Sequence, residues 1–444
     1  MLGVDAGCRC WVLIRLRCDE NCDRCLLCLA QLLQNDKLRV RPPFGTQPMF
    51  GNRRMVLFGE RGIGVNRMRV FSLAIKSMLA ALLIAQSGQI FGQSATHVLS
   101  QPIRLNQIQV VGTHNSYHIK PHPSILQLLS KTTPAQALAI AYTHRRLAEQ
   151  FSELGIRQIE LDIFADPEGG HYARPLGPKL ALQAGLPAVP DFDPQGDLNR
   201  PGLKVLHVPD FDYATTVKTF QTALQQVKTW SKANPRHVPI MILVELKQDH
   251  VSPFFPKPKP FDRQALDLLD QTIFDVFSED QLVTPDTVRG NFTSLPVAIA
   301  KQGWPRLDDC RGKVMFAMDN GGAIRDDYLE GHEALKGRAL FVSVDPDHPA
   351  AAFMKLNDPV GGFDQIQKFV KQGFLVRTRA DWDTEQARQN NTNQRDRAFA
   401  SGAHFISTDY PEPNLEFSPY CVRLPQKAAV ISNPLIGNQS IIEE

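Results

Sequence analysis

Six residues of this sequence have the types and the spacing for metal-assisted chemistry on a phosphate ester: His114, Asn115, Glu160, Asp162, His207 and Glu245. Glu160 and Asp162 stand two apart in the apolar run IRQIELDIF that begins at Ile156. A strand's period of two sends both side chains to one face. Two carboxylates buried side by side repel, so they need a shared proton, a cationic partner or a metal ion. Glu245 adds a third carboxylate and Asn115 an amide oxygen, an all-oxygen set that suits Ca²⁺ or Mg²⁺ and not zinc. The neutral carbonyl donor favours Ca²⁺. His114 and His207 complete a two-step proton plan, in which one group takes a proton from a nucleophilic hydroxyl and the other gives one to a leaving oxygen. Phosphodiester cleavage demands that pairing.

The elements that must position these residues alternate from residue 104 onward between apolar β-type runs and amphipathic helical stretches. Eight strands are predicted: IQVVGT from Ile108, IRQIELDIF from Ile156, KVLHV from Lys204, PIMILVEL from Pro239, KVMFAMD from Lys313, ALFVSVD from Ala339, FLVRTRA from Phe374 and HFISTDY from His404. Between them, Val217, Phe220, Leu224, Val227 and Trp230 share one helical face, as do Leu266, Leu269, Ile273 and Phe277. This pattern predicts an α/β fold, a (β/α)8 TIM-type barrel with long βα loops; a doubly wound open sheet is the competing arrangement. The loops are marked by Pro and Gly across 166–202 and by SPFFPKPKPF at 252–261, where Phe254 and Phe255 offer apolar contacts. All six candidate residues fall at the C-terminal ends of the first four predicted strands, the face where barrels carry their catalysts.

The 444 residues carry 49 basic and 46 acidic side chains, a balance that excludes disorder throughout and a nucleic-acid partner held by a dense basic surface. Six of the eight cysteines crowd the first 28 residues. Residues 1–67 show no periodicity that could build a core, and they read as an unstructured extension or a start-site error. From Met68 a short basic start, an apolar stretch and small residues at Gly92, Ser94 and Ala95 have the architecture of a signal peptide over 68–95. The expected product is a secreted or periplasmic chain with a single barrel domain at 96–424 and a C-terminal tail at 425–444. Outside the cell, Cys310 and Cys421 could pair.

The segments VGTHNSYH, IELDIF, LHV and PIMILVELK, in this order, resemble the catalytic half of the Ca²⁺-dependent phosphoinositide-specific phospholipase C family. WPRLDDCRGKVMFAMD, FLVRTRADWDTEQARQNN and GAHFISTDYP are similar to its secreted bacterial branch, and the likeness covers roughly residues 104–415. The resemblance implies a distorted barrel, one Ca²⁺, and attack of the inositol 2-hydroxyl on phosphorus to give diacylglycerol and a cyclic inositol phosphate. It implies a phosphoinositide or related phosphodiester substrate, transient contact with a membrane surface and a monomer. Carried over residue by residue, Asn115, Glu160, Asp162 and Glu245 match the calcium ligands, His114 the histidine on the phosphoryl oxygens and His207 the general acid. Glu160, Glu245 or His114 could each be the base.

Lys247 shares a side with Glu245, and Arg377 and Arg379 share a side at the seventh strand end; each could hold phosphate. The arginines could equally clamp Asp381 or Asp383. Tyr410 could stack on the inositol ring or pack against a loop, and Asp409 is expected to orient a neighbouring base. A glycerophosphodiester phosphodiesterase has a similar layout, but its first motif begins His-Arg where this chain has His114–Asn115. A catalytically inactive lipid- or sugar-binding barrel is the other alternative.

Overall fold

A computed structural model describes residues 102–250, 255–437 and 440–444. The readings of residues 1–67 and 68–95, and of Phe254, fall outside the described residues. The strands are β1 (Ile108–Thr113), β2 (Gln158–Asp166), β3 (Gly202–Val205), β4 (Ile240–Leu246), β5 (Val314–Met318), β6 (Leu340–Phe341), β7 (Phe353–Lys355), β8 (Leu375–Arg379), β9 (Phe405–Thr408) and β10 (Val430–Ser432). Eight of them form a parallel path in the order β6-β5-β4-β2-β1-β9-β8-β7. The ends meet through a single parallel bridge between Ser343 and Phe353, so the barrel is nearly closed. Pro346 and Pro349 lie between β6 and β7, and a proline cannot donate to a ladder.

Two strand assignments differ from the sequence reading. KVLHV is not a barrel strand: β3 runs antiparallel to the upper half of β2, with Ile163 opposite Val205 and Asp166 opposite Gly202. The eighth barrel strand is instead the three-residue β7, too short for its alternation to register. An apolar run encodes burial and not strand direction, which accounts for the exchange. β2 is nine residues long because its lower part pairs with β4 inside the barrel while its upper part projects beyond and carries β3.

Outside the sheet, α1 (Phe220–Ala233) buries Phe220, Ala223, Leu224, Val227 and Trp230, and α2 (Arg263–Val276) buries Leu266, Leu269 and Ile273. Thr219 and Asp262 cap them by accepting from the backbone N–H groups of Thr222 and Ala265. Val217 precedes α1 and Phe277 ends α2, and both are buried at the flanks. Residues 425–444 contain β10, which pairs antiparallel with the lower edge of β1, and Glu444 Oε1 meets Arg157 Nε at 2.7 Å. Cys310 and Cys421 are both free. Among the described residues, no helix is long and apolar enough to cross a membrane.

β1 and β2 touch in register only where Gly112 faces Gln158. A Cβ at Gly112 would lie 1.9 Å from Gln158 Oε1 and 2.6 Å from its Cβ, so a side chain would force the strands apart. Gly112→Ala is therefore expected to lower stability by about 1–3 kcal/mol, read as a lower midpoint in urea unfolding followed by circular dichroism. A wild-type midpoint would show that the strands separate there without cost.

Candidate active site

At the end of β1 the chain turns sharply. His114 N–H donates to Thr408 C=O of β9 (3.0 Å) and Ser116 N–H to Glu160 C=O of β2 (3.0 Å). Asn115, between them, takes a left-handed φ of +44°, a conformation asparagine tolerates better than most residues. Its amide is buried, and Oδ1 has no hydrogen-bond partner.

Beside this turn, β2 and β4 pair with Asp162 opposite Glu245. Parallel pairing with a period of two puts Glu160, Asp162 and Glu245 on one side, with one oxygen from each inside a 4.8 Å span. The cluster is short of positive charge. Burial pushes the Glu160 carboxyl up to about 8 even though Arg377 Nη2 lies 2.5 Å from Oε2. Burial likewise pushes Asp162 up to about 7 against the pull of Lys247. Lys247 Nζ sits 2.9 Å from both Asp162 Oδ2 and Glu245 Oε1. Asp162 Oδ1, like Asn115 Oδ1, is buried without a partner. Hard oxygen donors, two of them orphaned, around surplus buried negative charge fit a divalent cation of the calcium or magnesium type.

Two histidine–carboxylate pairs accompany the cluster. His114 Nδ1 donates to Asp409 Oδ1 at 2.7 Å, leaving Nε2 on the side of Glu160, whose Oε1 is 3.6 Å away. Burial and then Arg379, 3.3 Å from both ring nitrogens, hold His114 down at about 3. The ring is neutral, with its lone pair on Nε2. Asp381 Oδ1 accepts from Asp409 N–H at 2.9 Å and braces that carboxylate. In the second pair, His207 Nδ1 donates to Asp212 Oδ2 at 2.6 Å, while Asp212 Oδ1 accepts from His118 Nε2 at 2.7 Å. Burial alone would raise Asp212, but the His118 and His207 contacts hold it at about 2, so it is ionised.

Residues 103–434 match the family model described as phosphoinositide phospholipase C, Ca²⁺-dependent. The chain belongs to this family. It is a phosphoric diester hydrolase by class. The calcium-dependent phosphoinositol-specific phospholipase C of a Gram-negative Pseudomonas species is 14% identical, over 74% of this chain and 95% of that one, at a TM-score of 0.43. The Ca²⁺-dependent phosphatidylinositol-specific phospholipase C of Streptomyces antibioticus is 13% identical over 70% and 95% at 0.44, and the phosphatidylinositol-specific phospholipase C of Listeria monocytogenes is 14% identical over 72% and 93% at 0.38. No curated protein matches the sequence.

In this phospholipase C, the carboxylates, Asn115, Lys247, Arg379 and the histidines all lie at the mouth formed by the ends of β1, β2, β4, β8 and β9. Arg377 is deeper and fully buried; it bonds Glu160, Ser407 Oγ (3.0 Å) and Asn357, and acts as an internal countercharge. Arg379 binds neither carboxylate suggested as its clamp partner: its Nε donates to the Asp381 backbone C=O, and its Nη2 lies 3.4 Å from Asp409. Tyr410 stands apart, 3% exposed and packed against Phe417 and Tyr420. His207 reaches the mouth from β3, sideways, and not from a barrel strand.

Asp212 and His118 were not singled out from sequence. In HVPDFDY a tight loop lets Val208 and Asp212 exchange two backbone hydrogen bonds of 3.0 Å, which folds Asp212 back onto His207. Its signal was the turn pair Pro209–Asp210 next to a candidate histidine. Asp212→Asn cannot hold His207 in the same tautomer and is expected to lower kcat roughly 100-fold or more, with KM near wild type. A steady-state phosphatidylinositol hydrolysis assay measures both, and an unchanged kcat would show that His207 needs no anchor.

Proposed function

We propose that the enzyme cleaves phosphatidylinositol-type lipids to diacylglycerol and a cyclic inositol phosphate, with one Ca²⁺ held by Asn115, Glu160, Asp162 and Glu245. The observation that carries this reading is the buried, charge-deficient oxygen cluster at the barrel mouth, accompanied by two histidines that are each oriented by their own carboxylate. When bound, calcium would acidify the inositol 2-hydroxyl and neutralise charge on the phosphoryl group. His114 Nε2 takes the 2-hydroxyl proton. The freed oxygen bonds to phosphorus, the bond from phosphorus to the glycerol oxygen breaks, and His207 gives that oxygen its proton. The anionic phosphate, arriving beside Arg379, offsets the guanidinium that holds His114 down and so increases its basicity. Arg379 in turn carries phosphoryl charge, and Asp409 stabilises the imidazolium that forms.

Transient membrane contact is supported by exposed leucines on segments that follow barrel strands: Leu138 after β1, Leu182 after β2 and Leu415 after β9. Phe255 of the second long loop packs against Phe211, with ring centroids 5.5 Å apart. A secreted or periplasmic location fits the signal-peptide pattern at 68–95.

Vesicles containing phosphatidylinositol, incubated with the full chain in calcium or in chelator, test the reading. Diacylglycerol and cyclic inositol phosphate are expected with calcium only. His207→Ala should lose about 10²–10⁴-fold in turnover while keeping calcium affinity, whereas Asp162→Ala should weaken calcium binding. Glycerol phosphate as product would favour the glycerophosphodiester activity, and intact lipid would favour an inactive barrel. Equal activity in chelator would remove the metal assignment.

A further inference from the structure

Lys247 has a more specific role than its charge alone suggests. It follows Glu245 by two residues and so projects to the same side. Its ammonium does not point freely into the mouth: it is shared between Asp162 and Glu245, the two carboxylates that face each other across the β2–β4 ladder. Glu160, the third carboxylate, already has Arg377 as its countercharge. Lys247 is therefore the cation that offsets Asp162 and Glu245 where they stand side by side. Its Nζ lies 2.9 Å from each of them, the distance of a charge-assisted hydrogen bond.

We propose that Lys247 is a built-in competitor for the calcium ion: its ammonium occupies Asp162 and Glu245 in the ion-free enzyme, must leave them when calcium binds, and thereby sets the calcium affinity. The inference rests on the calcium reading above. Two positive groups cannot share the same two carboxylates at contact distance without strong repulsion. The displaced ammonium is then released for an anionic substrate, so the phosphate-holding role suggested by its position would follow calcium binding and not precede it. By linkage, whatever the ammonium contributes to the ion-free fold is subtracted from the binding of calcium.

Two measurements on the full chain test this, both independent of turnover. Calorimetric titration with calcium chloride at mildly alkaline pH should show Lys247→Met binding calcium about tenfold tighter or more than wild type, the sign required when a competing positive charge is removed. Lys247→Arg, which keeps the charge, should bind within a few-fold of wild type, and it remains informative if the methionine variant is poorly folded. Thermal unfolding should show a lower Tm for ion-free Lys247→Met than for wild type, and a larger rise in Tm on adding calcium. Wild type binding calcium while Lys247→Met binds no tighter would overturn the inference and leave the calcium reading standing. An arginine variant that binds as tightly as the methionine variant would also overturn it. Absence of calcium binding by wild type would overturn both.

Discussion

The register that sets Asp162 opposite Glu245, with Glu160 one pleat below, gathers more negative charge at the barrel mouth than its fixed cations settle comfortably. Much of the surrounding structure answers that constraint. Arg377 reaches Glu160 from β8, Lys247 spans the other two carboxylates, and the amide oxygen of Asn115 is left buried without a donor. Leaving such groups unpaired is costly in a low-dielectric interior, and a hard divalent cation relieves both the charge and the orphaned lone pairs. Stability of the ion-free fold and readiness to bind an ion are in this sense opposed properties of one cluster.

The fold delivers His114 and His207 by two routes. His114 follows β1, the strand between β2 and β9, and its Asp409 partner follows β9 directly. His207 arrives two residues beyond β3, an antiparallel extension that exists because β2 outgrows the barrel. Each ring is fixed through Nδ1 by a carboxylate from the same or the neighbouring element. The two dyads differ in their surroundings: Arg379 bears on His114, whereas Asp212 is shared with a second, buried histidine.

Much of this was legible in the sequence, for reasons that also mark its limits. Glu160 with Asp162, and Arg377 with Arg379, were placeable because a period of two is rigid. What a period does not reveal is depth: two residues along a strand is roughly 7 Å, enough to set Arg377 against Glu160 inside and Arg379 against His114 at the mouth. The barrel itself followed from alternating β and α segments, yet the direction of KVLHV did not, since pairing partners and not residue types decide it. β7 escaped notice because three residues hold too little pattern. Asp212 escaped because its role depends on a loop closing over five residues, and His118 because nothing in its local sequence marks a buried partner of that carboxylate.

The central claim, that the buried oxygen cluster is a calcium site from which Lys247 is displaced, is tested most directly by diffraction from crystals of the protein grown with calcium. The expected result is one ion bound by Asn115 Oδ1 and oxygens of Glu160, Asp162 and Glu245 at about 2.3–2.6 Å, with the Lys247 ammonium moved off Asp162 and Glu245. Calcium density elsewhere only, or Lys247 still bridging the two carboxylates at saturating calcium, would contradict the account.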